Sequence, residues 1–195
     1  MERRAGERSV RSWVIAVAYD GEKTEAEYFA GWRSVIGQGA LLLKPYYVRS
    51  GGNVRVAVQE SVRKFSQDSD YDEAWCVCDR DDSNGADVEE ARRIASEAGI
   101  NLCMSTRSFE TWLSLHWSRS ARPVASEAEA IAAVSAHYPG YSRKNKAVPF
   151  DVLGPLSGEA CRNGAWLEKQ GVENPHTDMH RLAKRIIGQR RRLKG

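Results

Sequence analysis

EAWCVCDRDDSNG, residues 73–85, passes directly from a run of strand-forming side chains into three carboxylates, an arginine and a turn. Asp79, Asp81 and Asp82 repel one another at the end of an apolar strand unless a cation, a basic partner or bulk water offsets their charge. Downstream, residues 87–99 (DVEEARRIASEAG) carry acids in the first turn and end in glycine, which predicts a helix. The unit is therefore strand, acidic loop, helix.

The same unit recurs outward in both directions. WVIAVAY (13–19) is a strand pattern that stops at DGEKTE, and residues 24–37 place Phe29, Trp32 and Ile36 on one helical face. PYYVRS (45–50) reads as a second strand, followed by a GGN turn and a helix over 54–65 with Val54, Val58, Val62 and Phe65 on its apolar face. After the central unit come a strand at 100–106 and a helix at 108–117 with Ser108 as its cap. Repeated alternation predicts an α/β fold, a mostly parallel sheet with helices on both faces. Ligands of such sheets bind outside the carboxyl ends of the strands, where both acidic loops fall.

Beyond residue 120 the character changes. Residues 126–138 are helical in pattern, 140–150 form a basic loop, and 151–195 read as helix with breaks at Pro155, Gly158 and Gly171. Asn174 and Pro175 suggest a helix start. The organisation expected is a basic arm (1–12), an α/β core (13–118) and a helical extension packed on that core (119–195) with a basic end. Residues 181–195 hold seven Lys or Arg and no acid, although the net charge of the 195-residue chain is only +3.

With 42% hydrophobic and 28% charged residues, the chain has the composition of a folded, soluble domain, and no apolar run approaches the roughly 20 residues of a membrane span. The charged N-terminus lacks a signal-peptide core, so a cytoplasmic location is expected. Cys76, Cys78, Cys103 and Cys161 contain no CxxC spacing and read as reduced, buried thiols.

Asp79 and Asp81, two residues apart at a strand end, can point the same way. Mg²⁺ is commonly held by one or two carboxylates with waters and phosphate oxygens, so the pair suits phosphoryl chemistry, with Mn²⁺ as a substitute. DRDDSNG is equally turn chemistry. The first loop adds Asp20, Glu22 and Glu25; an acid there would serve as base, acid or further ligand, with Glu22 the less favoured candidate. Glu25 is better read as a helix N-terminal acid. Glu110 and His116 are assigned structural roles, and His176 with His180 lacks the companions of a zinc site.

Four blocks in order, DGEKTEAEYF (20–29), WCVCDRDD (75–82), SFETWLSLHW (108–117) and NPHTDMHRL (174–182), resemble the RloB-like family, which includes AbiLii. The resemblance implies a bacterial anti-phage protein of restriction or abortive-infection loci, encoded near an AAA-type or ABC-type ATPase, with a core similar to the Toprim fold. It implies a Mg²⁺-dependent nuclease in which Asp79 and Asp81 match the family's D-x-D, and Asp20 stands where the family usually has glutamate. Lys23, Arg80, Arg143, Lys144, Lys146, Arg190, Arg191 and Arg192 are the expected contacts to nucleic-acid phosphates. The expected partners are the ATPase, DNA or RNA, and a second copy of the chain. The rival expectation is a non-catalytic regulatory subunit of the ATPase complex, for which Asp20 in place of glutamate is the best support.

Overall fold

The computed structural model describes residues 12–36, 41–80 and 83–192 and, of residues 191 and 192, only the backbone. Strands β1 (Trp13–Tyr19), β2 (Leu41–Tyr47), β3 (Glu73–Asp79) and β4 (Asn101–Ser105) form one sheet in the order β2-β1-β3-β4. Every pairing is parallel. Helices α1 (Thr24–Ile36), α2 (Val54–Gln67) and α3 (Gly85–Glu97) make the crossovers, and α4 (Glu110–Ser114), α5 (Glu127–Ser135), α6 (Phe150–Lys169) and α7 (Met179–Arg192) follow. None of these is long and apolar enough to cross a membrane.

Both faces of the sheet are covered, which is why the strands are apolar throughout rather than alternating. Ile15, Val17, Trp75, Val77 and Cys103 join Phe29, Trp32, Trp112, Leu153, Leu182 and Ile186 in one cluster beneath α1 and α4 to α7. The opposite face is built of Ala16, Ala18, Ala74, Cys76 and Cys78, small enough for α2 and α3 to approach through Ala57, Val58, Val88 and Ala91. All four cysteines are buried and unbridged.

The bounds of β1 and β3 coincide with the expected ones. β2 does not: it begins at Leu41 and passes through Pro45, which pairs with Val17. An edge strand tolerates proline because one side of it donates no ladder bond. The helix expected over 108–117 shortens to α4, since Leu115, His116 and Trp117 bond back three residues and tighten the turn. Ser108 does not cap it; Phe109 occupies that position without a side-chain bond.

The breaks at Pro155 and Gly158 are also corrected, because α6 runs through both. Pro155 is exposed and forgoes only a bond to the solvent-facing turn before it, while Leu153, Ala160, Cys161 and Leu167 hold the helix to the core. Gly171, at φ +66°, does end it. Asn174-Pro175 is not a helix start: the peptide is cis, α7 begins at Met179, and the Asn174 amide pairs with both backbone groups of Val124. Residues 176–178 instead cover the free edge of β4 through Thr106 N to His176 O (2.8 Å) and Asp178 N to Met104 O (3.0 Å).

Candidate functional site

β1 connects to β2 on one side of itself over α1, and the chain then returns past β1 to β3 over α2 on the opposite face. The carboxyl ends of β1 and β3 therefore flank the point where the winding reverses, where open α/β sheets leave a crevice. Tyr19 pairs with Val77, so Asp20 follows β1 level with Cys78, one residue short of Asp79 at the end of β3. The two carboxylates thus come from neighbouring parallel strands, as the sequence suggests. Asp81 and Asp82 lie outside the described residues.

Asp20 accepts a hydrogen bond from the Ser50 hydroxyl at 2.6 Å, which ties its carboxylate toward the segment leaving β2. Asp79 lines a cleft of about 220 Å³ together with Glu22, Lys23, Glu25, Glu110 and Lys146. Glu22 is exposed and accepts from the Tyr47 hydroxyl at 3.1 Å.

Glu25 lies in the first turn of α1, as expected, but not as an exposed helix-end acid. Read as a helix-end acid, it is 4% exposed, and its carboxylate folds back over Gly21, where any Cβ would overlap it. Burial pushes its pKa up to about 8, the neighbouring Asp20 and Glu110 charges add to the rise, and the backbone and Lys146 oppose it. A carboxyl that is mostly protonated at neutral pH has little charge to offer the helix dipole. It is instead an acid that holds a proton beside a crevice.

Glu110, 2% exposed, behaves oppositely. Burial works against its ionisation, yet the Tyr141 and Ser108 hydroxyls and Lys146 hold it below the usual carboxylate range. Tyr141 donates at 2.6 Å and Lys146 Nζ lies 3.1 Å away. Lys146 also pairs with Glu127 at 2.6 Å, and its carbonyl accepts from the Thr24 hydroxyl at 3.3 Å. One polar network therefore joins the start of α1 to α4, α5 and the basic loop. The opposed environments of Glu25 and Glu110 separate a proton holder from a fixed negative charge.

The expected basic contacts scatter. Lys23 is exposed at the cleft, and Arg80 starts the loop after β3, its N–H bonded to Ser105 O at 2.8 Å. Lys146 is at the cleft but engaged by two carboxylates. Lys144 is exposed, and Arg143 is exposed 3.7 Å from Glu127. Arg190 is not brought to the carboxylates: α7 runs from the carboxyl edge toward the start of β3, where Arg185 pairs with Glu73, and Arg190 then lies beside Trp32. The side chains of Arg191 and Arg192 are outside the described residues.

His116 is buried away from the cleft among Tyr28, Trp112 and Trp117, and burial lowers its pKa to about 4. His176 lies 3.4 Å from Asp178, and His180 lies 3.1 Å from Glu168, so the two imidazoles face different carboxylates. Among the described residues no three His, Cys, Asp or Glu side chains form a group able to hold a metal.

Sequence reasoning named Glu25 but not its burial, and it passed over Tyr141. For Glu25 the available signal was Gly21, directly after the strand-end acid and four residues before it. Arg107, two residues beyond β4, adopts φ 68°, the left-handed region unusual for a side-chain-bearing residue and frequent at functional edges.

No match was found among curated proteins or among solved structures. The family model of the RloB-like proteins matches residues 15–186, which takes in β1 from Ile15 onward, the other three strands, both acidic loops and the first half of α7. The chain belongs to the RloB-like protein family.

Proposed function

We propose that the chain is a Mg²⁺-dependent nuclease with a Toprim-like active edge, the effector of an anti-phage system, cleaving DNA or RNA phosphodiesters under control of a partner ATPase. The observation that carries the reading is the placement of Asp20 and Asp79 at the ends of neighbouring parallel strands, on either side of the winding reversal. The donors expected there are carboxylate oxygens, which is the chemistry of a hard divalent cation, while the Cys78 thiol beside them is buried against α2 and α3. Two carboxylates suffice for Mg²⁺, which keeps most of its waters. The fit therefore does not require a three-residue cage.

Asp79 and Asp20 would hold the ion, with Asp81 as the expected further ligand. Bound there, a divalent cation would neutralise charge on the phosphodiester and activate water. Glu25, whose burial raises its pKa and favours the protonated form, is placed to give its proton to the departing oxygen. Glu110 stays ionised and holds Lys146 at the cleft, so that the lysine orients an incoming phosphate without leaving its carboxylate partner. Lys23, exposed on the rim, adds a second positive charge.

Titration of Mn²⁺ into wild-type protein and an Asp79→Ala/Asp81→Ala variant, with bound metal measured directly, tests the reading. It expects specific binding that the variant loses. Equal binding in both, or none in either with oligonucleotide present, would transfer support to a regulatory subunit with a degenerate edge.

A further inference from the structure

A second cleft, of about 500 Å³, lies along α6 and α7 and shares no lining residue with the carboxylate cleft. Arg119, Arg162, Lys169 and Lys184 line it, with Trp166 as an aromatic wall, and among the described residues no acid does. Arg162 is engaged by Glu159 on the same helix. Lys169 and Lys184 have no ion-pair or hydrogen-bond partner among the described residues. Arg119 is fixed: its Nε donates to the buried Asn163 at 2.8 Å, and its guanidinium sits 5.9 Å from the Trp166 ring centre.

Two unpartnered ammonium groups on facing helices repel each other and attract an anion. The half-buried indole beside them supplies a flat apolar face, and an arginine held over an aromatic ring is a recurrent element of base-stacking platforms. The volume lies within the ~300–1,000 Å³ range of ligand sites. A neighbouring cleft shares Gly158 and Ile187 with this one and adds Arg190, so positive charge continues along the groove between the helices.

We infer that this groove binds a nucleotide unit, its phosphate held by Lys169, Lys184 and Arg119 and its base laid against Trp166. The unit is either a free nucleotide or one residue of a single strand. An acidic peptide would satisfy the cations but would make no use of the flat indole face beside them. The site is independent of metal and of cleavage, so it stands or falls separately from the carboxylate edge.

The test is binding in chelator at about 50 mM salt, by anisotropy of a labelled single-stranded oligonucleotide of about 12 residues and by calorimetry with mononucleotides. Lys169→Ala/Lys184→Ala, both at exposed positions, is expected to weaken binding at least about tenfold and to reduce the slope of log affinity against log salt by up to about 0.7, the value for the one phosphate they hold. Trp166→Ala is expected to cost at least about fivefold, with Trp166→Phe retaining most of the affinity and guarding against a folding defect. Binding of mononucleotides with the same dependences would identify a free-nucleotide site, and binding of the oligonucleotide alone a strand site. Wild-type protein that binds neither, variants that bind with unchanged affinity and slope, or polyglutamate that competes as well as the oligonucleotide would overturn the inference.

Discussion

Gly21 and Glu25 are in contact across the loop that leaves β1: the Glu25 carboxylate occupies the space that a Cβ on residue 21 would need. The requirement on Gly21 is steric, since its φ is not in the left-handed region. Gly21→Ala is expected to displace the carboxylate from its buried seat and to destabilise the protein by about 1–3 kcal/mol, the usual range for overpacking. In a Glu25→Ala background the same substitution should cost less than about 0.5 kcal/mol, because the clashing atoms are gone. Urea unfolding of the four proteins measures the difference, and equal costs in both backgrounds would show that Gly21 serves the backbone instead.

Glu25 makes stability fall as pH rises. Its folded pKa of about 8 lies above the ordinary value of 4.5, so the native state holds more protons than the unfolded chain between those two values. The contribution is complete below about pH 4.5, declines through neutrality and is gone above about pH 8. Glu25→Gln, which keeps the shape and removes the ionisation, should flatten this dependence and exceed wild-type stability at pH 8 by about 1 kcal/mol or more. His116 acts on the acid side with the opposite sign. Its pKa is lowered to about 4, so stability is lost as pH falls from about 6.5 toward 4, and the Glu25 effect must be read as the difference between wild type and variant.

Lys146 and Glu110 should prove coupled. Lys146→Met leaves a buried carboxylate with the Tyr141 hydroxyl as its chief support and is expected to cost about 1–3 kcal/mol, the range for a hydrogen bond to a charged group. Glu110→Gln removes the charge that needs compensation, so Lys146→Met should cost less in that background, with an interaction energy of about 1 kcal/mol or more in the double-mutant cycle. A cycle that closes additively would mean that Lys146 is held by the more exposed Glu127 alone.

These residues also show what a sequence discloses. β1 and β3 were legible to the residue because apolar runs end abruptly in turn chemistry, and Asp20 and Asp79 came with them as strand-end residues. Pro45 concealed the start of β2 because the tolerance for proline depends on a strand being at an edge, a property of the whole sheet. Pro155 concealed the continuity of α6 because packing of Leu153 and Leu167 outweighs a local preference. The raised pKa of Glu25 was not legible: Glu110 and Lys146, which share its cleft, come from segments far along the chain. Local pattern marks where charged loops begin, whereas the environment that sets their ionisation is assembled by distant segments.

Asp79 joins the functional proposal to stability. Asp79 lines the cleft with Glu25 and Glu110, and asparagine keeps its size while removing its charge, so Asp79→Asn is expected to cost no more than about 1.5 kcal/mol, the net range of one hydrogen bond. The same substitution should abolish Mn²⁺ binding and reduce oligonucleotide cleavage by at least about 100-fold, the scale set by misplacing a group at a reacting centre. Chelation of divalent ions should silence the wild-type protein, and Mg²⁺ or Mn²⁺ should restore it. Because the ATPase is expected to control activity, cleavage is measured with and without it, and thermal melts accompany each variant. A loss of cleavage together with a marked loss of stability would assign Asp79 to the fold, whereas wild-type cleavage by a stable Asp79→Asn protein would remove the metal-dependent reading of this edge.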